Sequence, residues 1–405
     1  MNNDKHDIYE IIIVGSGIAG CEAGFICAGS GLKTLIINIS MDNPALLKYS
    51  ARFGGISDSV LLDKIDSMGG FIKSAVFENK IAQKKEKKRN NIGVFTVVDK
   101  RKFTLFYKYS LENQEKLHTR QGLVTEMTLI NRDKDRKYMI GLSDGSIFYS
   151  KAVIISVGTF LNSYVFWGKN KMASGRDGEI NSKIFYETLK NIGYSFKSET
   201  VFVSPRIDKR TIDLKKVRKI MSDADINSEP VKIHEGSRGY IKDIHPEKYY
   251  CFKSRISKAR LLENITKISK NNKSEKLLKM ISSQISRIEI QSTESDEYEI
   301  EMFSEGEKTM ELYAGNFNLV FSDETQNLVL NKFYGLENAE IIRPGYCIEY
   351  KGLKQCFLNK DLESNIHENV YFAGEVNGPQ KYESIALQGI TAGINASESI
   401  LAGGQ

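Results

Sequence analysis

The sequence has 405 residues, a net charge of +6 and a hydrophobic fraction of 41%. These values fit a globular protein of two or three domains and exclude a disordered chain. No apolar run approaches the ~20 residues of a membrane-spanning helix, so no membrane association is expected. Five scattered cysteines without a Cys-x-x-Cys pair argue against a disulfide framework and a structural zinc site. They predict a reducing, cytoplasmic location and no bound metal.

The first motif is a glycine turn between a strand and a helix. The apolar segment 10–14 predicts a buried parallel strand, and a helix is expected to continue to about Gly29. The turn consists of Gly15, Ser16, Gly17, Ile18, Ala19 and Gly20. The first glycine permits the tight turn, the second lets the backbone approach a pyrophosphate, and the third allows close helix–strand packing. With a second strand over 33–39, the unit predicts a dinucleotide whose diphosphate lies at the helix N-terminus.

The second strand lacks the acidic residue that usually holds the adenosine ribose. Asn38 occupies that place and is followed by Ile39 and Ser40. An amide also bonds a ribose hydroxyl, but a charge-assisted hydrogen bond is roughly twice as strong. We therefore predict that Asn38 contacts the ribose more weakly than a carboxylate would.

Two later motifs favour FAD over a nicotinamide nucleotide. A buried strand over 151–157 ends at Gly158 and Thr159, and a strand over 370–372 leads into Gly374 and Glu375. Glu375 is suited to accept hydrogen bonds from ribityl hydroxyls. The long helix expected over 382–401 can direct its positive N-terminus at the flavin and stabilise negative charge there. Together the three motifs predict an FAD-dependent oxidoreductase.

The order of the motifs also predicts the domain organisation. We expect an α/β fold: a Rossmann-like FAD-binding domain of the glutathione-reductase type, with a small antiparallel layer over 123–149. Residues 1–198 would form its first part and residues 336–405 its closing part. Residues 199–335 would be an inserted α/β domain, with helices over 213–221 and 257–281 and a strand over 317–321.

Several segments are similar to those of one family. They include Pro205-Arg206-Ile207-Asp208, Arg343-Pro344-Gly345-Tyr346, Ser174-Gly175-Arg176, Gly54-Gly55-Ile56 and the stretch from Phe372 to Gly389. In these segments and their order the sequence resembles the MnmG (GidA) family, flavoenzymes that modify C5 of the wobble uridine in certain tRNAs. The resemblance covers the chain from end to end.

The resemblance implies FAD as cofactor and a tRNA or another RNA as substrate, and it adds Gly374 and Gln388 to the cofactor-binding residues. It also implies NAD(P)H as reductant, linked to the inserted domain, and admits a folate as one-carbon donor. Family members continue into a helical domain associated with tRNA and with the GTPase MnmE. This sequence ends before that domain, which argues against an MnmE-type partner and leaves a homodimer open.

The sequence departs from the family at its two catalytic cysteines. Tyr49 stands at the first position, and Ser282 aligns with the second. A thiolate adds to C6 of a uracil ring near neutral pH, whereas Ser and Tyr need an activating base. We expect no cysteine adduct. Either Tyr49 packs over flavin or substrate, which we favour, or Lys48 and Arg52 lower its pKa and activate it.

Two basic clusters suggest an anionic partner. Lys87, Lys88 and Arg89 belong to a basic run at 84–89 that replaces an active-site loop of the family, and Lys215 and Lys216 belong to a second run. Solvated loops or helix faces are one interpretation, and contacts to an RNA backbone facing the flavin are the other. Three functions remain open: an RNA-modifying enzyme, a flavin oxidoreductase for a small molecule or a free or DNA-borne nucleobase, and an inactive FAD-binding scaffold.

Overall fold

The computed structural model describes residues 8–55, 58–88, 91–130, 137–222, 249–270 and 296–403. The helices in these ranges are α1 (Ile18–Gly29), α2 (Asp58–Ser67), α3 (Ile72–Glu78), α4 (Lys100–Asn113), α5 (Lys183–Asn191), α6 (Lys258–Lys270), α7 (Asp323–Leu330) and α8 (Tyr382–Ala402). The strands are β1 (Ile8–Val14), β2 (Thr34–Asn38), β3 (Arg52–Gly55), β4 (Lys80–Lys88), β5 (Asn91–Val98), β6 (Leu117–Gln121), β7 (Val124–Leu129), β8 (Tyr138–Leu142), β9 (Ile147–Ile155), β10 (Tyr164–Trp167), β11 (Asn170–Ala173), β12 (Phe196–Val203), β13 (Arg206–Asp208), β14 (Arg218–Ser222), β15 (Tyr249–Ser257), β16 (Glu297–Ser304), β17 (Glu311–Gly315), β18 (Ile341–Arg343), β19 (Tyr346–Leu353) and β20 (Val370–Phe372).

A seven-stranded sheet carries the first glycine motif. Its order is β6-β2-β1-β9-β8-β7, and β20 also pairs with β9. Strands β6, β2, β1, β9 and β20 are parallel neighbours, so their carboxyl ends meet at one edge of the sheet. Ile11 and Ile13 of β1 enter one core cluster, while Ile12 and Val14 enter another on the opposite face. Burial on both faces explains why β1 is apolar without alternation.

Strand β9 joins the parallel and antiparallel parts of this sheet. Its first half pairs antiparallel with β8, and β8 pairs antiparallel with β7. Its second half pairs parallel with β20 over Val153–Ile155. The predicted antiparallel layer is therefore continuous with the parallel sheet. The α/β fold class with its Rossmann-like start is confirmed.

Helices α1 and α8 are held together by small residues. A side-chain carbon at Gly389 of α8 would lie 2.2 Å from the carbonyl oxygen of Ala19, and one at Gly393 would lie 3.1 Å from that of Ala23. Only glycine permits this approach without displacing the backbone. The last described helix is thereby packed directly on the first.

Three further sheets complete the described structure. They have the orders β11-β10-β19-β12, β14-β15-β16-β17-β13-β18 and β3-β5-β4. The six-stranded sheet packs with α6 and α7 around a separate cluster that includes Ile300, Met302 and Leu330. The proposed domain boundaries at 198/199 and 335/336 stay predictions.

Some expected elements differ in the structure. Residues 218–222 form β14, paired with β15, so the helix predicted over 213–221 is wrong because strand pairing overrides local propensity. Residues 317–321 do not form a strand, although their apolar side chains are buried; a short apolar run alone does not specify a strand. Residues 84–88 form part of β4 rather than a loop or helix face. Among the described helices, none is long and apolar enough to cross a membrane.

Candidate functional site

Three glycine turns meet in one cleft, which we call the first cleft. They follow β1, β9 and β20, whose carboxyl ends lie at the same edge of the sheet. The described residues lining it include Gly15, Ser16, Gly17, Asn38, Lys48, Gly158, Thr159, Arg176 and Glu375. This edge of a parallel sheet is where dinucleotides bind. The cleft thus brings together cofactor residues predicted from three distant parts of the sequence.

The glycines of the first turn have different neighbours. Gly15 has a φ of +106°, and a side-chain carbon there would lie 2.5 Å from the carbonyl oxygen of Ser156. One at Gly20 would lie 1.9 Å from the carbonyl oxygen of Gly15. One at Gly17 would meet no protein atom within 4 Å, although Gly17 lines the cleft. The space that Gly17 leaves open is therefore available to a ligand.

The N-terminus of α1 suits an anion in this space. Gly17 is the N-cap residue, and no side chain caps the helix, so the first backbone N–H groups can bind a ligand. The charged residues lining the cleft are Lys48, Arg176 and Glu375, a formal excess of one positive charge. Arg176 also pairs with Glu179. These residues fit the diphosphate of a dinucleotide.

Asn38 lines the first cleft, and its neighbour Ile39 also lines a separate depression, which we call the third cleft. Its Nδ2 atom donates to the carbonyl oxygen of Ser40 at 2.5 Å, which orients the amide group. Ile39, Ser40, Asn43, Gln121 and Gly122 are among the residues lining the third cleft. The place predicted for the adenosine group of the dinucleotide is therefore next to a depression beside β2.

Other predicted cofactor residues lie behind the cleft wall. Ile18, Ala19 and Gly20 are buried in α1. The Gln388 side chain accepts hydrogen bonds from the backbone N–H of Gly374 and from Asn377 Nδ2, each at 3.0 Å. Gln388 therefore fixes the turn that carries Glu375.

A second cleft, of ≈ 540 Å³, lies beside Tyr49. Its lining includes Tyr49, Arg52, Gly54, Phe202, Phe303, Tyr313, Asn316, Asn318, Lys381, Tyr382 and Glu383. Residues 380–383 lie at its edge and include the start of α8. Lys381 is the N-cap residue of this helix, and its side chain makes no capping hydrogen bond. Aromatic rings beside amide and charged groups suit a planar polar ligand.

The predicted lowering of the Tyr49 pKa by Lys48 and Arg52 is wrong. The Tyr49 hydroxyl donates to Glu375 Oε1 at 2.8 Å, and burial together with the Glu375 carboxylate raises the pKa of Tyr49 well above its ordinary value. Lys48 does not offset this effect because it pairs with Glu375. Arg52 pairs with Glu301. Tyr49 is therefore a protonated hydrogen-bond donor whose ring forms part of the second cleft.

A buried ionic network binds the backbone of Lys48 and Tyr49. Lys100 Nζ and Arg206 Nε donate to Glu305 Oε2 at 2.7 and 3.3 Å. The same two cations bind the backbone: Lys100 donates to the carbonyl oxygen of Tyr49 at 3.2 Å, and Arg206 donates to that of Lys48 at 3.0 Å. Burial lowers the pKa of Lys100 to about 8, and Glu305 opposes the shift. Sequence reasoning missed this network because its members lie far apart in the chain.

Comparison with known sequences identifies the family. The profile of the family described as Glucose inhibited division protein A matches residues 10–403. The chain belongs to this family. Relatives named tRNA uridine 5-carboxymethylaminomethyl modification enzyme MnmG are 28% identical over 403 residues in Karelsulcia muelleri and 30% identical over 407 residues in Alkaliphilus oremlandii. They cover 97% and 96% of this chain.

The GidA fold is also found among solved structures. GidA of Aquifex aeolicus in its form II crystal has a TM-score of 0.83 and 26% identity, and the match covers 98% of this chain and 64% of the Aquifex chain. The form I crystal gives a TM-score of 0.84 at 25% identity, with 98% and 66% covered. The chain spans 64% and 61% of the length of the two MnmG relatives above.

The described residues that line the second cleft include no cysteine. Cys21, Cys27, Cys251 and Cys347 are buried, and Cys356 is exposed. Burial raises the pKa of Cys251 to about 12. Ser282, aligned with the family's second cysteine, lies outside the described residues. No cluster of three metal-ligating side chains occurs within the described ranges.

The predicted RNA-binding residues have varied placements. Lys215 and Lys216 are exposed, and Lys216 lies within 3.7 Å of Asp213 and 3.5 Å of Glu337. Neither lines the three clefts. Lys87 and Lys88 belong to the backbone of β4, opposite Ile92 and Asn91 of β5, and their side chains are not described. Arg89 lies outside the described residues.

Proposed function

We propose that this GidA family member binds FAD along the first cleft and acts as an oxidoreductase in C5 modification of uridine in tRNA. The observation that carries the FAD assignment is the meeting of three glycine turns at the N-terminus of α1, in a cleft with excess positive charge. The tRNA substrate is supported by the names of the MnmG relatives. NAD(P)H as reductant and a folate as one-carbon donor belong to the same proposal.

Each part of the first cleft has a role in this proposal. The turn from Gly15 to Gly17 and the N-terminus of α1 hold the diphosphate, Asn38 contacts the ribose, and Glu375 accepts hydrogen bonds from the ribityl chain. FAD, when bound, supplies two-electron redox chemistry. In the second cleft, Tyr49 and Tyr313 are the aromatic residues proposed to contact an unpaired base. Lys381 lines the same cleft and is paired with Asp58 at 2.9 Å.

The cofactor part is tested with the Gly17→Val variant. Gly17 has extended backbone, with φ −63° and ψ 177°, and a Cβ atom there would meet no protein atom within 4 Å. The variant should therefore fold normally but lose bound FAD, because valine occupies the diphosphate space. Gly29→Ala is the matched control, since it lies in the same helix and also meets no atom within 4 Å. A colourless wild-type protein that takes up no FAD on reconstitution would contradict the proposal.

The substrate part is tested by nucleoside mass spectrometry. Bulk tRNA from a strain lacking this gene should lose a C5-modified uridine at the wobble position. The wild-type gene should restore it, and the Gly17→Val gene should not. Unchanged tRNA nucleosides in the deletion strain would overturn the tRNA assignment.

The reductant is tested separately. Anaerobic NADH or NADPH should bleach the flavin absorbance of the purified protein if a nicotinamide is the reductant.

The second candidate is a flavin oxidoreductase for a small molecule or a free or DNA-borne nucleobase. It is favoured by the second cleft, where Tyr49 is a protonated donor and the described lining includes no thiol. Chemistry there would proceed without a cysteine adduct, so trapping with 5-fluorouridine RNA should leave no protein–RNA bond. RNA binding with a steep salt dependence would favour the first candidate, and its absence would favour the second.

A further inference from the structure

The Glu375 carboxylate is held by two consecutive residues from a distant part of the chain. Its Oε2 atom accepts a hydrogen bond from Lys48 Nζ at 2.9 Å. Its Oε1 atom accepts one from the Tyr49 hydroxyl at 2.8 Å. Each carboxylate oxygen can accept about two hydrogen bonds, so each retains capacity for a ligand donor.

The Lys48–Glu375 pair is buried. The Lys48 and Glu375 side chains are only 8% and 13% exposed. Burial lowers the pKa of Lys48, and the Glu375 carboxylate opposes that effect. A buried charge without a partner is strongly destabilising, so each group requires the other. Tyr49, whose pKa is raised, remains protonated and donates.

The backbone of both residues is also fixed. Arg206 and Lys100 bind the carbonyl oxygens of Lys48 and Tyr49, and the N–H of Tyr49 is 2.7 Å from the Tyr382 hydroxyl. A carboxylate supported in this way is preorganised, because neither its rotamer nor its partners must reorder when a ligand arrives.

The carboxylate also shares a cleft with the proposed diphosphate site. Glu375 and Lys48 both line the first cleft with Gly15 and Gly17. A side-chain carbon at Gly158 would lie 3.7 Å from Glu375 Oε2, which places the carboxylate beside the turn after β9. A carboxylate and a diphosphate in one cleft repel each other unless a cation compensates.

We propose that Lys48 and Tyr49 are positioning residues that hold Glu375 toward the flavin half of a bound FAD, and that Lys48 compensates its charge beside the diphosphate. The proposal rests on the proposed function, in which FAD occupies the first cleft. It assigns to the position of a family cysteine a role in cofactor recognition. It also predicts that the two residues discriminate FAD from nucleotides that lack a ribityl-flavin group.

The test compares affinities for FAD and ADP, since ADP carries only the adenosine and diphosphate part. Calorimetric titration of the nucleotide-free full-length chain should show that Lys48→Met weakens FAD binding by about tenfold or more, the value of one charged hydrogen bond. ADP affinity should fall by a smaller factor than FAD affinity, because the ADP diphosphate meets the uncompensated Glu375 carboxylate but ADP has no ribityl group whose contact can be lost. Tyr49→Phe should weaken FAD binding by a smaller factor and leave ADP binding unchanged. Lys48→Arg keeps the positive charge and should therefore retain most of the FAD affinity that Lys48→Met loses.

A second variant guards against misfolding. Lys48→Met leaves a buried carboxylate without its cation, so the double variant Lys48→Met/Glu375→Gln removes both charges and should keep the native melting temperature. It should still bind ADP normally and FAD weakly. Equal losses of FAD and ADP affinity would overturn the proposal. Unchanged FAD affinity in Lys48→Met and in the double variant would also overturn it. Failure of wild-type protein to bind FAD would instead overturn the proposed function on which it rests.

Discussion

Glu22 is a buried carboxyl group in the middle of α1. Its Oε1 atom accepts from the Tyr107 hydroxyl at 2.6 Å, and its Oε2 atom accepts from the N–H of Phe71 at 2.7 Å. Burial raises the pKa of Glu22 from 4.5 to about 7, despite both hydrogen bonds. The folded chain therefore binds a proton more tightly here than the unfolded chain does.

This shift predicts a pH-dependent stability. Because the folded pKa is the higher one, the contribution of Glu22 is fully present below pH 4.5 and is lost as the pH rises to about 7. The loss is about 3 kcal/mol at 1.36 kcal/mol per pKa unit. Glu22→Gln should flatten this part of the curve in urea unfolding between pH 4.5 and 8. The exposed Glu115→Gln serves as control, and equal slopes for wild type and Glu22→Gln would contradict the assignment.

The cysteines provide a second prediction at this scale. Cys356 is exposed, whereas the other four cysteines are buried, and burial raises the pKa of Cys27 to about 12. A buried protonated thiol reacts slowly because the thiolate is the nucleophile. Iodoacetamide should modify one site in the native protein and all five after denaturation, as counted by intact-mass spectrometry. Cys356→Ser should abolish the native reaction; rapid labelling that persists in this variant would show another accessible thiol.

At the scale of elements, α1 and α8 are in close contact through glycine. Gly389→Ala would place a methyl group 2.2 Å from the carbonyl oxygen of Ala19. Overpacking of this kind costs about 1–3 kcal/mol, and the helices would have to separate. We expect a clearly lower melting temperature by calorimetry. The control Gly29→Ala should be neutral or slightly stabilising, since its site is open; equal melting temperatures for both variants would refute the packing argument.

Elements with strong local signals could be predicted from the sequence. The predicted first strand, first helix and second strand correspond to β1, α1 and β2, and the predicted C-terminal helix to α8. Their signals are local: an apolar run, a glycine turn and a long helical segment. Strand β14 could not be predicted because it depends on pairing with β15. The basic strand β4 likewise depends on β5, which supplies its partner residues.

The candidate site was predictable to a similar extent. Gly17, Gly158 and Glu375 were each identified from a local motif, and the structure places them in one cleft; their binding roles stay predictions. The bonds from Lys48 and Tyr49 to Glu375 were not predictable, because 327 and 326 residues separate the partners. Sequence spacing carries no information about contacts at that distance. The direction of the Tyr49 pKa shift follows from burial and from the contact with Glu375.

At the scale of the whole molecule, the Lys100–Glu305–Arg206 network connects α4 with β13, which contains Arg206, and with Glu305, the residue after β16. The side chains of Lys100 and Glu305 are 12% and 8% exposed. Removal of one partner of a buried ion pair costs about 3–5 kcal/mol, because the other charge is left uncompensated. Arg206 still contacts Glu305, so Lys100→Met should cost near the lower end of that range.

A neighbouring pair provides the comparison. Lys102 and Glu307 are 2.7 Å apart, but Lys102 is 47% exposed. Exposed pairs contribute about 0–1 kcal/mol. Lys102→Met should therefore leave the free energy of unfolding in urea almost unchanged, while Lys100→Met lowers it. If the two variants lost the same stability, the buried network would not connect these parts of the molecule energetically.

The pairing of β9 with β20 has a consequence for synthesis of the chain. The backbone groups of Val153–Ile155 pair with residues 370–372, which leave the ribosome more than 200 residues later. Parallel pairing at such separation is slow, since the loop entropy must be lost before any contact forms. During translation this sheet edge therefore stays unpaired until residues 370–372 have been synthesised. The first cleft includes Glu375, which follows β20, so its lining is complete only after these two strands have paired.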